Sequence, residues 1–189
     1  INWSVRLGLK QIFHNCFKYN NGFDIGDIYE TKKFIIKKND YIEDLQKKAA
    51  RHICYSAVRL IADLQNNRLT LTKQMDSPFV SFPKLNEKSG QLHPNQISVH
   101  TAKNILRSCS HPFPGSYVIV SKLNIKVRIW KADIIKTKSK RIKIDKGCLL
   151  FSKKKIFIKF FDGTLKLTNY KIESEKKMTI PVNTNLRCD

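Results

Sequence analysis

The chain has 189 residues and a mass of 22.0 kDa, and its 41% of apolar residues can supply the core of one ordinary domain or two small ones. Lys and Arg number 36 against 15 Asp and Glu, so the formal net charge is +21. This charge excludes a neutral surface and favours a polyanionic partner, although a lysine-rich genome would give the same bias.

Residues 1–36 alternate short apolar runs with residues that form turns. Ile1–Val5 and Phe34–Ile36 are mainly apolar, and Asn20–Tyr29 contains most of the turn-forming residues. Asn, Asp and Gly tolerate positive φ and hydrogen-bond to nearby backbone, so this pattern predicts strands joined by tight turns.

A helix is predicted from Asp40 to about Asn66-Asn67. Asp40 is the expected N-cap and Glu43 stands at the capping-box position. Apolar residues spaced by three or four positions would form the buried face: Ile42, Leu45, Ala49, Ile53, Ala57, Leu60 and Leu64.

A linker is predicted over residues 71–97, where three prolines and Gly90 interrupt a polar stretch. A second helix follows, with Ser98 as its N-cap, and ends near Ser110 before the segment His111–Gly115. Its expected buried residues are Ala102, Ile105, Leu106 and Cys109.

Five strands are predicted after Gly115, typical of a small antiparallel barrel or sandwich: Tyr117–Val120, Ile125–Ile135, Cys148–Phe151, Ile156–Phe161 and Leu165–Asn169. The dipeptide Asp162-Gly163 predicts a two-residue type I′ turn between the last two. In the second strand, Ile125, Val127 and Ile129 alternate with Lys126 and Arg128, which is typical of a sheet with one solvated face.

Positive charge is concentrated in this barrel region. Residues 122–177 carry 18 Lys or Arg and 5 acidic residues, or +13 of the total charge. A basic barrel face can bind a phosphate backbone through counterion release, with a solvated lysine-rich surface as the alternative. The RNA-binding candidates are Lys126, Arg128, Lys131, Lys153, Lys154 and Lys155, and residues 136–143 form another basic stretch.

Most familiar catalytic motifs are absent from the sequence. Five histidines and five cysteines show no metal-ligand spacing, so we predict no metal site, and the scattered cysteines indicate a reducing compartment. No apolar run approaches the roughly 20 residues that cross a membrane, so no membrane partner is predicted. The one catalytic candidate is the turn Gly22–Ile28, which holds Asp24 and Asp27, with ordinary turn chemistry as the alternative.

Several short motifs, taken in order, resemble methionyl-tRNA formyltransferases. They are Ile1-Asn2-Trp3, Gly22–Ile28, Phe82-Pro83-Lys84-Leu85, Ile105-Leu106-Arg107, Pro112-Phe113-Pro114-Gly115, Ile129-Trp130-Lys131-Ala132, Asp162-Gly163 and Lys176-Lys177-Met178-Thr179. Their details are most similar to mitochondrial forms. The sequence departs from the family at Phe13-His14-Asn15, where Gly-Val-Thr is usual, and after Thr179.

The resemblance implies an α/β remnant of a Rossmann-like formyltransferase domain followed by a small OB-like antiparallel β-barrel. The implied parts are a catalytic remnant over residues 1–70, the linker 71–97, a helix and barrel over 98–180, and a tail over 181–189. The implied reaction transfers a formyl group from the co-substrate 10-formyltetrahydrofolate to initiator methionyl-tRNA. Of the family's Asn, His and Asp trio only the Asp has a counterpart here, Asp24, and we expect the other two in a segment before Ile1.

Two alternatives stay open at this stage. One is a catalytically inactive RNA-binding or ribosome-associated protein on the same scaffold, and the other is a sugar-nucleotide formyltransferase, whose small substrate would not need a basic barrel. The resemblance implies the mitochondrial matrix as the compartment, with the bacterial cytoplasm as the alternative.

Overall fold

The computed structural model describes residues 1–22, 24–75, 81–135, 144–152, 155–174 and 185–189. The chain forms two compact units. The first unit consists of Ile1 and Leu9–Pro83, and the second unit consists of Asn2–Gly8 and Lys84–Asp189. The boundary after Pro83 lies inside the segment 71–97 that the sequence predicts as a linker.

The described part of the chain contains three α-helices and eight strands. In chain order they are α1 (Asn2–Arg6), β1 (Gln11–Phe17), β2 (Ile28–Ile35), α2 (Ile42–Gln65), α3 (Val99–Cys109), β3 (Ser116–Val120), β4 (Ile125–Ile135), β5 (Cys148–Ser152), β6 (Lys155–Lys159), β7 (Thr164–Ser174) and β8 (Asn185–Arg187). None of the described helices is long and apolar enough to cross a membrane.

The first unit is an antiparallel hairpin of β1 and β2 with α2 packed on it. Gln11 pairs with Ile35 at one end of the hairpin, and a bulge interrupts the register after Cys16. The buried apolar residues of this unit are Ile12, Ile36, Ile42, Leu45 and Ala49. The Rossmann-like origin of this unit stays a prediction.

The predicted long helix is confirmed as α2, with two corrections. Its N-cap is Tyr41 rather than Asp40, and the Tyr41 backbone N–H donates to the carboxylate of Asp44, 2.9 Å away. Asp40 instead accepts from the Lys37 N–H at 2.9 Å and from Lys48 Nζ at 2.7 Å.

The second correction concerns which residues of α2 are buried. After Ala49 the buried residues of α2 are His52 and Ser56, whereas Ile53 and Leu64, predicted in the core, are both 52% exposed. Periodicity predicts an apolar stripe along the whole helix. The face that is buried in this part of α2 instead carries the polar residues His52 and Ser56.

The predicted strand at residues 1–5 is wrong, because these residues form α1. A five-residue helix has little stability of its own and needs tertiary contacts. Asn2 Nδ2 donates to the carbonyl of Ser108 at 2.9 Å, Arg6 donates to the carbonyl of Ser89 at 2.8 Å, and Val5 is fully buried. These contacts within the second unit override the local strand pattern.

The second unit is built on a curled six-stranded antiparallel sheet in the order β3-β4-β7-β6-β5-β8. Its two edge strands are linked through the chain end, since the Asp189 N–H donates to the carbonyl of Ile119 at 3.1 Å and the Ser121 N–H donates to the Asp189 carboxylate at 3.2 Å. The result is a half-barrel, consistent with the predicted barrel. Residues 185–187, placed in a tail by the sequence, form β8.

The five predicted strands of the barrel region are confirmed, and their alternation correctly separates core from surface. Ile125, Val127 and Ile129 are at most 2% exposed, while Lys126 and Arg128 keep contact with solvent. Leu149, Ile158 and Leu165 continue the same core across the sheet.

The predicted type I′ turn at Asp162-Gly163 is wrong, because neither residue has a positive φ. The Asp162 carboxylate instead accepts the Val99 N–H at the start of α3, 2.8 Å away. A Cβ on Gly163 would lie 2.6 Å from Val99 Cγ1. The packing of α3 therefore explains why Asp and Gly stand at these two positions.

The predicted helix α3 is confirmed. Its N-cap is Ser98, and Ala102, Ile105, Leu106 and Cys109 are buried as expected.

Candidate functional site

The turn that carries Asp24 is tightly constrained by its neighbours. The Lys18 N–H donates to the carbonyl of Asp27 at 2.8 Å, and the Gly26 N–H donates to Gln74 Oε1 at 3.1 Å. Gly26 has φ 154°, and a Cβ there would collide with the carbonyl oxygen of Lys18. Glycine is therefore required at this position.

Asp24 itself is exposed at the tip of this turn, with φ 54°. Aspartate tolerates this left-handed conformation better than most residues. Its carboxylate makes no hydrogen bond or ion pair within the described residues, and Phe23 beside it lies outside them. The turn thus holds a carboxylate that is available to accept a proton or a hydrogen bond from a substrate.

A polar cluster that the sequence analysis missed lies between β2 and α2. Ser56 Oγ donates to Glu30 Oε2 at 2.5 Å, and Arg59 Nη1 donates to Glu30 Oε1 at 2.9 Å. His52 Nε2 lies 3.6 Å from Glu30, and the His14 ring meets the His52 ring edge-on with centroids 5.5 Å apart. The signal in the sequence was weak, because Glu30 is 22 positions or more from its partners on α2.

The contacts of this cluster indicate a structural role. The hydrogen bond from Ser56, followed by the positive charge of Arg59, lowers the pKa of Glu30 from its ordinary value. Ser56 is only 3% exposed and His52 only 8%, so a substrate cannot reach the serine hydroxyl. We assign the cluster to holding α2 against the hairpin.

Two of the predicted RNA-binding residues, Lys126 and Arg128, converge on carboxylates. Arg128 donates to both oxygens of Glu173 at 2.7 and 3.1 Å, and to Glu87 at 2.9 Å. Lys126 Nζ lies 3.2 Å from the same Glu87 oxygen and 4.6 Å from the centre of the Tyr117 ring.

These ion pairs shift the pKa values of Arg128, Glu173 and Glu87. The hydrogen bond with Glu173, and then the one with Glu87, raises the pKa of Arg128, while Arg128 lowers the pKa of both carboxyls. The Arg128 side chain is only 12% exposed. A phosphate group would therefore compete with Glu173 and Glu87 for this guanidinium.

The other predicted cations are placed differently. Lys131 is exposed on β4 after a bulge in its pairing with β7. Lys155 is exposed at the start of β6. Because β7 lies between β6 and β4, the backbones of those two strands are about 10 Å apart. Lys153, Lys154 and the basic stretch 136–143 lie outside the described residues. Their RNA-binding role stays a prediction.

No group of three or more metal-ligating side chains occurs among the residues that the structure describes. The folate co-substrate and the catalytic role of Asp24, both implied by the resemblance, stay predictions.

A known protein family matches most of the second unit. Residues 95–186 match the family described as formyl transferase, C-terminal domain. This span covers α3, the strands β3 to β7 and the first two residues of β8.

Solved structures resemble both parts of the chain. HypX from Aquifex aeolicus, solved in complex with tetrahydrofolic acid, has a TM-score of 0.70 at 15% identity and is matched over 93% of this chain and 29% of its own. An N-formyltransferase from Helicobacter canadensis, solved with folinic acid and dTDP-3-aminofucose, has a TM-score of 0.64 at 17% identity, with 89% and 59% coverage.

Methionyl-tRNA formyltransferase from Clostridium thermocellum has a TM-score of 0.58 at 17% identity, with 73% of this chain and 57% of that chain covered. The chain thus spans between 29% and 59% of the lengths of these three proteins. At such low sequence identity, these TM-scores show a common fold and nothing further. Residues 95–186 match the formyl transferase C-terminal domain family, and the chain shares its fold with the solved formyltransferases to which it is similar.

Proposed function

We propose that this protein takes part in formyl transfer from 10-formyltetrahydrofolate to the amino group of initiator methionyl-tRNA. The observation that carries the proposal is the formyl transferase C-terminal domain over residues 95–186, present in one chain with the exposed carboxylate of Asp24. HypX and the Helicobacter enzyme were solved with folate derivatives, which supports a folate co-substrate.

In the proposed reaction the amino nitrogen of the charged methionine attacks the formyl carbon. The new bond between that nitrogen and the formyl carbon replaces the bond between the carbon and N10 of the folate, and the folate nitrogen leaves with a proton. The attacking nitrogen must lose a proton, and Asp24 accepts it or orients the group that does. Hydrogen-bond donors stabilise the oxyanion on the formyl oxygen; by the family resemblance they include an Asn and a His to which no residue of this chain is assigned.

The RNA substrate is supported by charge. A net charge of +21, most of it between residues 122 and 177, suits a polyanion far better than a small sugar nucleotide. Because Arg128 and Lys126 are held by carboxylates, we assign the larger part of phosphate binding to the exposed Lys155 and the neighbouring Lys153 and Lys154. Lys131 stays a predicted RNA contact. We further propose that the protein acts in the mitochondrial matrix, or in the cytoplasm of a bacterium.

The full-length protein tests this function directly. We expect formyl-methionyl-tRNA to form only when 10-formyltetrahydrofolate is present, with tRNA affinity that falls steeply as salt rises. Salt-sensitive tRNA binding without product would contradict the enzyme and favour an inactive RNA-binding protein. Formylation of an amino-sugar nucleotide, with an affinity insensitive to salt, would favour a sugar-nucleotide formyltransferase.

A further inference from the structure

A pair of stacked aromatic rings lies on the outer side of the sheet in the second unit. The imidazole of His111 and the indole of Trp130 are parallel to within 1°, with ring centroids 5.1 Å apart. This is the offset stacked geometry that aromatic pairs prefer. The His111 side chain is exposed to solvent, whereas Trp130 is half-buried.

The fold holds this pair in place from several sides. Trp130 lies at a bulge of β4, where it has no cross-strand partner on β7, and bulges commonly re-aim a side chain. Its Nε1–H donates to the carbonyl of Phe113 at 3.2 Å, and Ser110 Oγ donates to the Trp130 carbonyl at 2.9 Å.

Gly115 allows the close approach of the segment that carries His111. It has φ 91°, and a Cβ there would lie 2.9 Å from the carbonyl oxygen of Ile129 and 3.0 Å from Trp130 Nε1. The backbone of residues 110–115 therefore lies directly on β4. The fold holds the indole of Trp130, and the stack on that indole orients the His111 ring, so a ligand that stacks on the pair has little ordering left to impose.

Cationic side chains continue from the stack along the same strand. Arg128 lies two residues before Trp130 and donates to the carbonyl of Pro114 at 3.2 Å. Lys126 lies two residues further back, above the ring of Tyr117. Lys171, exposed on β7, pairs in register with Arg128. Aromatic faces beside cations are the usual composition of a surface that binds single-stranded nucleic acid. Tyr117 is buried and carboxylates hold Arg128 and Lys126, so the exposed His111 and Lys171 are the side chains of this group that a ligand can meet.

We propose that the exposed face of His111, stacked on Trp130, is a platform for one unpaired nucleobase of the bound RNA. The inference rests on the proposed function, because it assumes an RNA substrate. A planar base extends the two-ring stack to three rings, and the phosphate that follows it lies toward Lys171. Stacking uses the ring face rather than a hydrogen-bond pattern, so the platform accepts any base and adds affinity without strong sequence preference.

The test measures RNA binding by the full-length protein at one fixed salt concentration. The probe is an RNA hairpin with a short single-stranded 3′ end, compared with the same hairpin whose single-stranded positions are abasic. The variants are His111→Ala, which removes the ring, and His111→Phe, which keeps an aromatic face. The matched control is His100→Ala, which removes an exposed imidazole from α3 in the same unit.

We expect His111→Ala to weaken binding of the intact probe about tenfold, as loss of one stacked base does. His111→Phe and His100→Ala should bind like the unaltered protein. With the abasic probe, all variants should bind equally weakly, because the ring has no base to stack on.

Unchanged binding by His111→Ala overturns the platform, and so does an equal loss on intact and abasic probes. Absence of RNA binding by the unaltered protein overturns the platform together with its proposed RNA substrate. Binding that responds to His111 as expected, without any formyl-transfer product, supports the platform and contradicts only the enzymatic function.

Discussion

The charged side chains of Asp24, in its turn, and Arg128, on β4, have opposite surroundings. Asp24 is exposed, and its carboxylate has no partner among the described residues, although the backbone around it is fixed by Gly26 and Gln74. Arg128 is nearly buried and makes hydrogen bonds with two carboxylates.

This difference separates a charge that is available for chemistry from one that stabilises the fold. Removing Asp24 leaves no other described group unpaired, so its loss should affect activity and spare stability. Removing Arg128 takes away the hydrogen-bond donor that Glu173 and Glu87 share, so its loss should affect stability first. The predictions below test that contrast, from the largest expected effect to the smallest.

The largest effect is expected for Asp24→Asn in the full-length protein. Formyl transfer should fall about 100-fold or more, the range expected when a group that handles a proton is lost. The melting temperature should not change, because Asn tolerates the left-handed conformation of residue 24. Asp27→Asn, in the same turn, is the control and should retain activity. Near-normal turnover by Asp24→Asn would make Asp24 an ordinary turn residue.

Neutralising Lys153, Lys154 and Lys155 together should weaken tRNA binding about tenfold at moderate salt. If each lysine meets one phosphate, the slope of log affinity against log salt should decrease by about 2. Titration at several salt concentrations measures the slope. Neutralising the exposed Lys32, Lys33 and Lys38 of the first unit removes the same charge and should have a smaller effect. An equal change in both triple variants would mean that binding depends on net charge alone.

Replacing Arg128 with Ala should lower the free energy of unfolding by about 1–2 kcal/mol, since hydrogen bonds to charged groups are lost. Urea denaturation measures this change. Lys171→Ala, which removes the exposed cation opposite Arg128 in the register, should stay within about 0.5 kcal/mol of the unaltered protein. If Arg128→Ala leaves stability unchanged and instead lowers tRNA affinity, the arginine belongs to the RNA surface.

Ser56→Ala should destabilise the protein by about 1 kcal/mol at pH 7, because it removes the short hydrogen bond to Glu30. Since the folded pKa of Glu30 is lowered below 4.5, its contribution to stability is present above that pH and is lost as pH falls through the folded pKa. Ser56→Ala brings that pKa closer to its ordinary value, so the variant should lose less stability between pH 7 and pH 3. Thermal melts across that range measure both effects, and an unchanged pH dependence would contradict the lowered pKa.

The sequence was most informative where local pattern and burial agree. β4 was predicted with its observed bounds, and its alternation separated Val127 and Ile129 from Arg128. Ser98 was predicted as the cap of α3, because a hydroxyl that accepts from the backbone three residues on is a local interaction. Asp24 was singled out by its glycine neighbours, which the constrained turn explains.

The sequence was least informative where distant residues decide the outcome. Ile1–Val5 reads as a strand but becomes helical through contacts of Asn2 and Arg6 with Ser108 and Ser89. Asp162-Gly163 reads as a hairpin turn, yet its conformation follows from the approach of α3.

By itself the sequence determined five of the six strands of the curled sheet, the two longer helices, the excess of positive charge and the acidic turn, because periodicity, capping and composition act over a few residues. Only the tertiary structure decided which charges are engaged. Glu87 and Glu173 reach Arg128 from 41 and 45 positions away, and Trp130 meets His111 across 19 positions. Pairing over such separations depends on how the chain folds back on itself, which no local pattern records.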